Sequence, residues 1–250
     1  MNKRIHLDCR WSHDVDSKYI RNFILIQNEV FKNFYDLKLF HKKYIDNIYG
    51  SSVLVIAYVD NVPAGARALW RNDVGKHVSY QFCDTCVKAE FRGMGIFSIM
   101  TSCAVSNIDK SALLYNFPNM NSFPGYLKLG YKLQREYHLK LLLSNKKYTL
   151  DNPHNINSEY VKWWLKGNQG IKHLKLGKSY YLIKKYPRPF CYKIIGRVNE
   201  SDAILFEKIN HFCIPLYLSL KKTWYNVHFL PVRQVGNSNE RIPTWKIDAI

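Results

Sequence analysis

Apolar residues recur at three- and four-residue steps from Ile20 through Phe23, Ile24, Ile26, Val30, Phe31 and Phe34, which predicts mainly helical structure over residues 18–49. SSVLVIAYVDNVPAGARALW then reads as a β-hairpin, with Asp60-Asn61 at the turn and Pro63 just beyond it. VSYQFCDTCV is a third strand. Residues 95–109 make a helix, and SALLYNF a short buried strand after it. A short helix over 121–130 is closed by Gly130, and KLQREYHLKLLL follows as a further strand. This order is that of an α/β (α+β) fold, a mixed sheet flanked by helices.

The polar stretch SNKKYTLDNPHNINSE interrupts the pattern and reads as a boundary. It divides the chain into a first domain over residues 1–145, a linker over 146–159 and a smaller C-terminal α+β domain over 160–250. In the last segment KSYYLIKKY, PFCYKIIGRV and NVHFLPVRQV predict strands, and DAILFEKINHFCIPLYLSL predicts a helix.

With 250 residues, 47% of them hydrophobic and 15% aromatic, the chain can bury a sizeable core and is not disordered. No run of 18 apolar residues implies a transmembrane helix, and MNKRIHLDCRW lacks the apolar centre of a signal peptide. Six scattered cysteines suit a reducing, cytoplasmic setting better than a disulfide framework. The net charge of +18 is uneven: residues 1–145 carry +7 and residues 146–250 carry +11, and residues 160–199 hold ten Lys/Arg with no acid. Such a basic run attracts anions or is simply solvated. Trp163-Trp164 and Tyr180-Tyr181 within it suit stacking on a sugar or base, or ordinary packing. No helix-turn-helix, RNA-recognition or zinc-finger signature supports a nucleic-acid partner.

The densest chemical signal is CDTCVKAEFRGMGIFSIM, a strand, a glycine turn and a helix start. The free N–H groups of a first helical turn converge with the positive end of the helix dipole, so this is an anion site. Gly93 and Gly95 let backbone approach a phosphate with no Cβ between them, and Arg92, Met94, Ile96 and Phe97 complete the turn. Neither G-x-x-x-x-G-K-[ST] nor G-x-G-x-x-G is present, since Ser98 stands at the last glycine position. A pyrophosphate is the most economical ligand.

VKAEFRGMGIF resembles the acetyl-CoA-binding segment of the GNAT N-acetyltransferase family, whose loop has the pattern [RQ]-x-x-G-x-[GA]. Arg92 matches the first position and Gly95 the fourth, while Phe97 departs from the small residue at the sixth. NFPNMNSFPGYLKLGYK resembles a later family segment, with Asn119, Tyr126, Gly130 and Tyr131 matched and Ser122 replacing an alanine. The resemblance covers residues 1–145 and is closest in wording to bacterial members associated with surface polysaccharides. It implies a GNAT-like sheet, coenzyme A held at residues 92–97 and by Asn119, and Tyr126 as general acid to the departing thiolate. Cys86 and Val87 would pair with the pantetheine arm, the N–H near Val87 polarising the thioester carbonyl. It also allows residues 160–250 to be a degenerate second GNAT-like half, although no glycine loop occurs there.

Acyl transfer to an amine further needs the amine to lose a proton. Asp84, the only carboxylate within the apolar strand 78–87, is the candidate base, since burial raises a carboxylate's pKa. Capping or bracing a local bulge is the alternative role. Glu90 is the runner-up, and a water relay would make either unnecessary. Asn116, at a strand end facing the same cleft, is a candidate substrate ligand, and Asn119 could instead cap the next helix. Cys83-x-x-Cys86 does not make a metal site, because residues three apart on a regular strand face opposite ways and no second pair completes a ligand set. The expected function is acetyl-CoA-dependent N-acetylation of a small primary amine, with a nucleotide-linked amino sugar as the acceptor best matched to the basic half. A non-catalytic module binding a polyanion or anionic lipid is the alternative. Oligomeric state is left open.

Overall fold

The computed structural model describes residues 4–32, 35–141, 155–168, 170–210, 213–219 and 232–238. These fall into two compact units, one comprising Met1–Lys132 with Val235–Asn239, the other Leu133–Gln234 with Glu240–Ile250. The linker expected over 146–159 falls mostly outside the described residues.

Strands are numbered along the chain. In the first unit β2 (Val53–Val59), β3 (Val62–Arg71) and β4 (Ser79–Val87) form an antiparallel meander, and β1 (Ile5–Trp11) pairs antiparallel with β2 at its edge. The β2–β3 hairpin turns at Asp60-Asn61, both with positive φ (49° and 66°), as a tight two-residue hairpin requires. β5 (Leu113–Asn116) lies parallel to β4, and Val235 and Gly236, at the end of β12 (Val232–Gly236), pair antiparallel with Tyr115 and Asn116. β1 has no counterpart among the expected elements, although IHLDCRW places Ile5, Leu7, Cys9 and Trp11 at alternate positions, all packed on the core.

Helix α1 (Ser17–Phe31) starts at Asp16, whose carboxylate accepts from the Tyr19 N–H, and buries Tyr19, Ile20, Phe23 and Ile26. α2 (Leu37–Phe40) runs into a widened π-turn, His41–Ile45. Phe23, Phe40 and Tyr44 pack edge to face with centroids 5.1–5.9 Å apart. On the opposite face of the sheet, α3 (Ile96–Ser106) buries Ile96, Met100 and Ala104 against Val53, Val55 and Phe82. α4 (Phe123–Lys128), with Pro124 in its first turn, brings Tyr126 to the same core. The mixed sheet flanked by helices is as the hydrophobic pattern predicts.

The second unit repeats this plan in reduced form. β6 is Lys132–Leu141. The short helix α5 (Ser158–Tyr160) again runs into a π-turn, Val161–Leu165, before the meander β7 (Ile171–Leu176), β8 (Ser179–Lys185) and β9 (Cys191–Val198). β11 (Ile214–Ser219) lies parallel to β9, and β6 closes this sheet antiparallel to β11. In each unit a three-stranded meander is followed by a parallel strand, and beside that strand pairs an antiparallel one, β12 in the first unit and β6 in the second. The difference lies between meander and parallel strand. The first unit has the eleven-residue α3 there, and the second only α6 (Glu200–Ala203) and the two-residue β10 (Glu207–Lys208), parallel to β7.

One expectation is corrected. The helix expected over residues 202–220 is not formed by its described residues: the helix ends at Ala203, and Ile214–Ser219 is a strand. Pro215 has no N–H to give a helix interior, and Ile214, Leu216 and Tyr217 suit a pleated surface better than a helical stripe.

The β5–β12 pairing brings backbone very close. A Cβ on Gly236 would stand 2.5 Å from the Leu114 carbonyl oxygen. Gly236→Ala is therefore expected to destabilise the chain by about 1–3 kcal/mol, seen as a lowered midpoint in chemical denaturation. An unchanged midpoint would contradict this pairing.

Candidate active site

β4 and β5 share only three registered pairs, ending at Gln81 opposite Tyr115. Beyond that point β4 continues to Val87 while β5 stops at Asn116, so the edge of β4 from Phe82 to Val87 has no β5 partner. The Lys88 N–H donates to the Ala64 oxygen on β3 at 2.8 Å. Neighbouring N–H groups on a strand point to alternate edges, so that of Val87 points away from β3, into the gap. A ligand arm with amide groups would find strand-like partners there.

The same strand carries a β-bulge. Cys83 pairs with Ala68 and Cys86 with Ala66, so Asp84 and Thr85 together oppose the single residue Arg67. Asp84 adopts φ 44°, and its side chain joins that of Cys83 on the α1–α2 face. Lys43 donates to Asp84 Oδ1 at 2.9 Å, and Tyr44 and Tyr35 donate to Oδ2 at 2.5 and 3.0 Å. Gln27 holds the Asp84 carbonyl oxygen at 2.6 Å. The expected base candidate thus sits in a cage of three donors, bracing the bulge. Burial works against the Lys43 charge, but Asp84 and Cys83 outweigh it and hold its pKa above the ordinary lysine value. Cys86, against Glu29 and Asp84, lies on the same face as Cys83 because the bulge breaks the alternation that would separate them. Both thiols are pushed up by burial, to about 11 and about 12. No group of three His, Cys, Asp or Glu able to hold a metal occurs among the described residues.

The glycine turn leaves the end of β4. Ala89–Phe91 form a single 3₁₀ turn on which Glu90 is exposed. Arg92 folds back so that its Nε donates to the Val87 carbonyl at 3.2 Å. Gly93 (φ 80°) and Gly95 (φ 75°) are left-handed, and nothing lies within 4 Å of the place a Cβ would take on either. With Gly95 as N-cap and no side chain capping it, the first N–H groups of α3 face this open space. That is the geometry a pyrophosphate needs: open room, free donors and the positive end of a helix.

Phe97 turns inward from this helix start. A Cβ on Gly125 would meet its ring at 2.8 Å, so glycine in α4 makes room for the phenylalanine that replaces the small residue of the motif. Phe97 packs edge to face on Tyr126 at 5.4 Å. Tyr126 is 1% exposed, and its hydroxyl accepts from Arg67 Nη2 at 2.7 Å and meets the Asn116 side chain. The Asn116 Oδ1 also accepts from its neighbour's N–H, Phe117, at 2.8 Å. Asn119 Oδ1 accepts from the N–H groups of Asn121 and Ser122 at 3.1 and 3.0 Å, organising the approach to α4. The structure brings Asn116 and Tyr126 together next to the turn helix and puts Asp84 on the other face of the sheet.

Sequence reasoning missed Arg67, Lys43, Tyr35 and Tyr44. Arg67 had a signal: it is the one charge inside the apolar run AGARALW. The residues around Asp84 had none, since only folding brings residues 35, 43 and 44 to residue 84.

No family model matches this sequence, and none of the curated proteins matches it. Solved structures do. A GCN5-related N-acetyltransferase from Kribbella flavida has a TM-score of 0.57 at 9% identity, covering 94% of this chain and 71% of that one. A protein of unknown function from Enterococcus faecalis V583, described as a probable N-acyltransferase, has a TM-score of 0.60 at 11% identity, covering 96% and 73%. A GCN5-related N-acetyltransferase from Anabaena variabilis has 0.57 at 11%, covering 93% and 73%. The chain therefore has the GNAT fold, and the likeness is not confined to its first unit.

The Lys43–Asp84 pair yields two expectations. Asp84→Ala leaves a buried, unpaired ammonium and should cost about 3–5 kcal/mol, while Lys43→Met with Asp84→Ala should recover much of it. Equal stability of the single and double variants would contradict the pairing. The folded-state pKa of Lys43 and of both thiols is raised, so each contributes stability that is complete below its unfolded value and is lost as pH rises through the folded one. The thermal midpoint should fall above roughly pH 9, where free thiols ionise. A flat midpoint to pH 11 in a pH series would refute it.

Proposed function

We propose that this chain, built on the fold of the GNAT N-acetyltransferases, transfers an acetyl group from acetyl-CoA to a primary amine. The observation that carries this is the unpaired edge of β4 leading directly into an open glycine turn at a helix start. The turn from Arg92 to Phe97 would hold the pyrophosphate, and the edge at Cys86 and Val87 the pantetheine arm. The Val87 N–H, aimed into the gap, then meets the thioester carbonyl as its electrons shift toward oxygen. Tyr126 gives its proton to the sulfur as the carbon–sulfur bond breaks, and Asn116 orients that hydroxyl. Asn119 acts chiefly by shaping the segment that presents Tyr126, and its contact with the cofactor remains part of the proposal.

The acceptor's proton leaves through water in this reading, because the Asp84 oxygens already accept three hydrogen bonds and Glu90 is exposed on the loop. Asp84 serves by holding the bulge that keeps β4 away from β5. For the acceptor we infer an amine on a small anionic molecule, of which a nucleotide-linked amino sugar of surface-polysaccharide chemistry is one. Its motivation is the acid-free run over residues 160–199, where Lys184 and Lys185 are exposed. The reaction is placed in the cytoplasm, in keeping with six free cysteines.

Gly95→Asp would put a Cβ and a negative charge in the open cradle, at a φ that a side chain rarely adopts. It is expected to weaken acetyl-CoA binding more than tenfold, about 1.4 kcal/mol, measured by calorimetry. Undiminished affinity would remove the pyrophosphate from this turn.

A further inference from the structure

Arg67 lies at the middle of β3 and is 0% exposed. Among the described residues no carboxylate is within ion-pair distance of it. Its Nη1 donates to Thr101 Oγ1 at 2.5 Å and its Nη2 to the Tyr126 hydroxyl at 2.7 Å, while its Nε has no hydrogen-bond partner. The guanidinium lies 5.0 Å from the ring centre of Phe82, 4.8 Å from Phe97 and 5.5 Å from Tyr126. A buried cation ordinarily comes with an anion, because removing a charge from water costs several kcal/mol. Lys43, on the other face of the same sheet, obeys that rule. Arg67 has only aromatic faces and two hydroxyls, which soften its desolvation without neutralising it.

An uncompensated buried cation is an electrostatic resource for any negative charge formed beside it. Among the described residues, the group it touches that can become negative is the Tyr126 hydroxyl. We propose that Arg67 is a positioning residue that stabilises the Tyr126 phenolate formed during acyl transfer and turns the phenolic proton toward the leaving sulfur. This deepens the reading in which Tyr126 is the general acid, and rests on it.

The step balances as follows. The acceptor's nitrogen lone pair bonds to the thioester carbonyl carbon, and the carbon–sulfur bonding pair leaves on sulfur. The Tyr126 proton moves to that sulfur, giving free thiol and a phenolate. The proton released by the new amide nitrogen returns through water to the phenolate. Arg67 donates to the oxygen throughout, so the phenol's own proton must point elsewhere, and the charge left behind forms 2.7 Å from a fixed cation. Burial raises the Tyr126 pKa, and the Arg67 charge works against that rise. Thr101 keeps the guanidinium in place: its hydroxyl accepts from Arg67 and donates to the Phe97 carbonyl at 2.6 Å.

Two measurements test this on the full chain. The first is ultraviolet tyrosinate titration, taking Tyr126 as the difference between wild type and Tyr126→Phe. The same difference in an Arg67→Gln background should move to higher pH, and an unmoved difference overturns the proposal. The second is thiol release from acetyl-CoA with glucosamine supplied as acceptor, and by hydrolysis without one. Tyr126→Phe should lower kcat roughly a hundredfold. Arg67→Gln should lower it roughly tenfold or more with acetyl-CoA affinity retained, Arg67→Lys should restore much of it, and the double variant should be no slower than Tyr126→Phe alone. Should Arg67→Gln not fold, Arg67→Met, which fills the volume without the charge, replaces it in both measurements. Normal turnover of Arg67→Gln beside a slow Tyr126→Phe, or losses that multiply independently, overturns the role of Arg67 alone. Normal turnover of Tyr126→Phe sinks the general-acid reading and the proposal together.

Discussion

The separation of β4 from β5 is the constraint on which the first unit depends. Two strands that stayed paired to their ends would satisfy each other's backbone groups and leave no edge for a ligand. Here β5 stops at Asn116 while β4 runs on to Val87, bent by the bulge at Asp84 and Thr85. A left-handed aspartate on a strand is costly, and it is held by Lys43, Tyr35, Tyr44 and Gln27 from the two helical segments covering that face. The helices on one side of the sheet therefore hold the bulge in the strand that leaves β5.

Two buried cations divide the work between the faces. Lys43 and Asp84 form a neutral pair whose favourable term is mutual attraction in a dry environment, and their effect is structural. Arg67 is enclosed by rings and hydroxyls, with no carboxylate at ion-pair distance among the described residues. Phe97 belongs to this second arrangement. As a departure from the small residue of the motif it brings a ring into the core, where Gly125 yields the space and Arg67 stacks on it. Motif position and core packing are thus settled by one side chain.

The second unit carries the same strand plan with a different connection. Its meander, parallel strand and closing antiparallel strand follow the first unit's order, and a π-turn precedes the meander in both. In place of α3 and its glycine turn stands a four-residue helix capped by the Asn199 side chain. That cap takes up the Asp202 N–H, and no glycine directly precedes the helix. The strand order recurs without the glycine turn.

By itself the sequence determined what depends on local chemistry. The short apolar runs gave β2, β3, β4 and β5, and the Asp60-Asn61 turn gave their first hairpin. Gly93 and Gly95 before an apolar helix marked the anion cradle, because left-handed backbone and a free helix start are properties of a few adjacent residues. Only tertiary structure decided which distant residues meet. Tyr35, Lys43 and Tyr44 reach Asp84 from forty or more positions away, and Arg67 reaches Tyr126 across 59. The closing strands β12 and β6 pair with strands that lie far from them along the chain. The apolar run around Pro215 went to a strand, because a partner in β9 and another in β6 were there to take its hydrogen bonds. Local sequence sets which conformations are cheap, but charge pairing and strand partnership are settled by what folding places nearby.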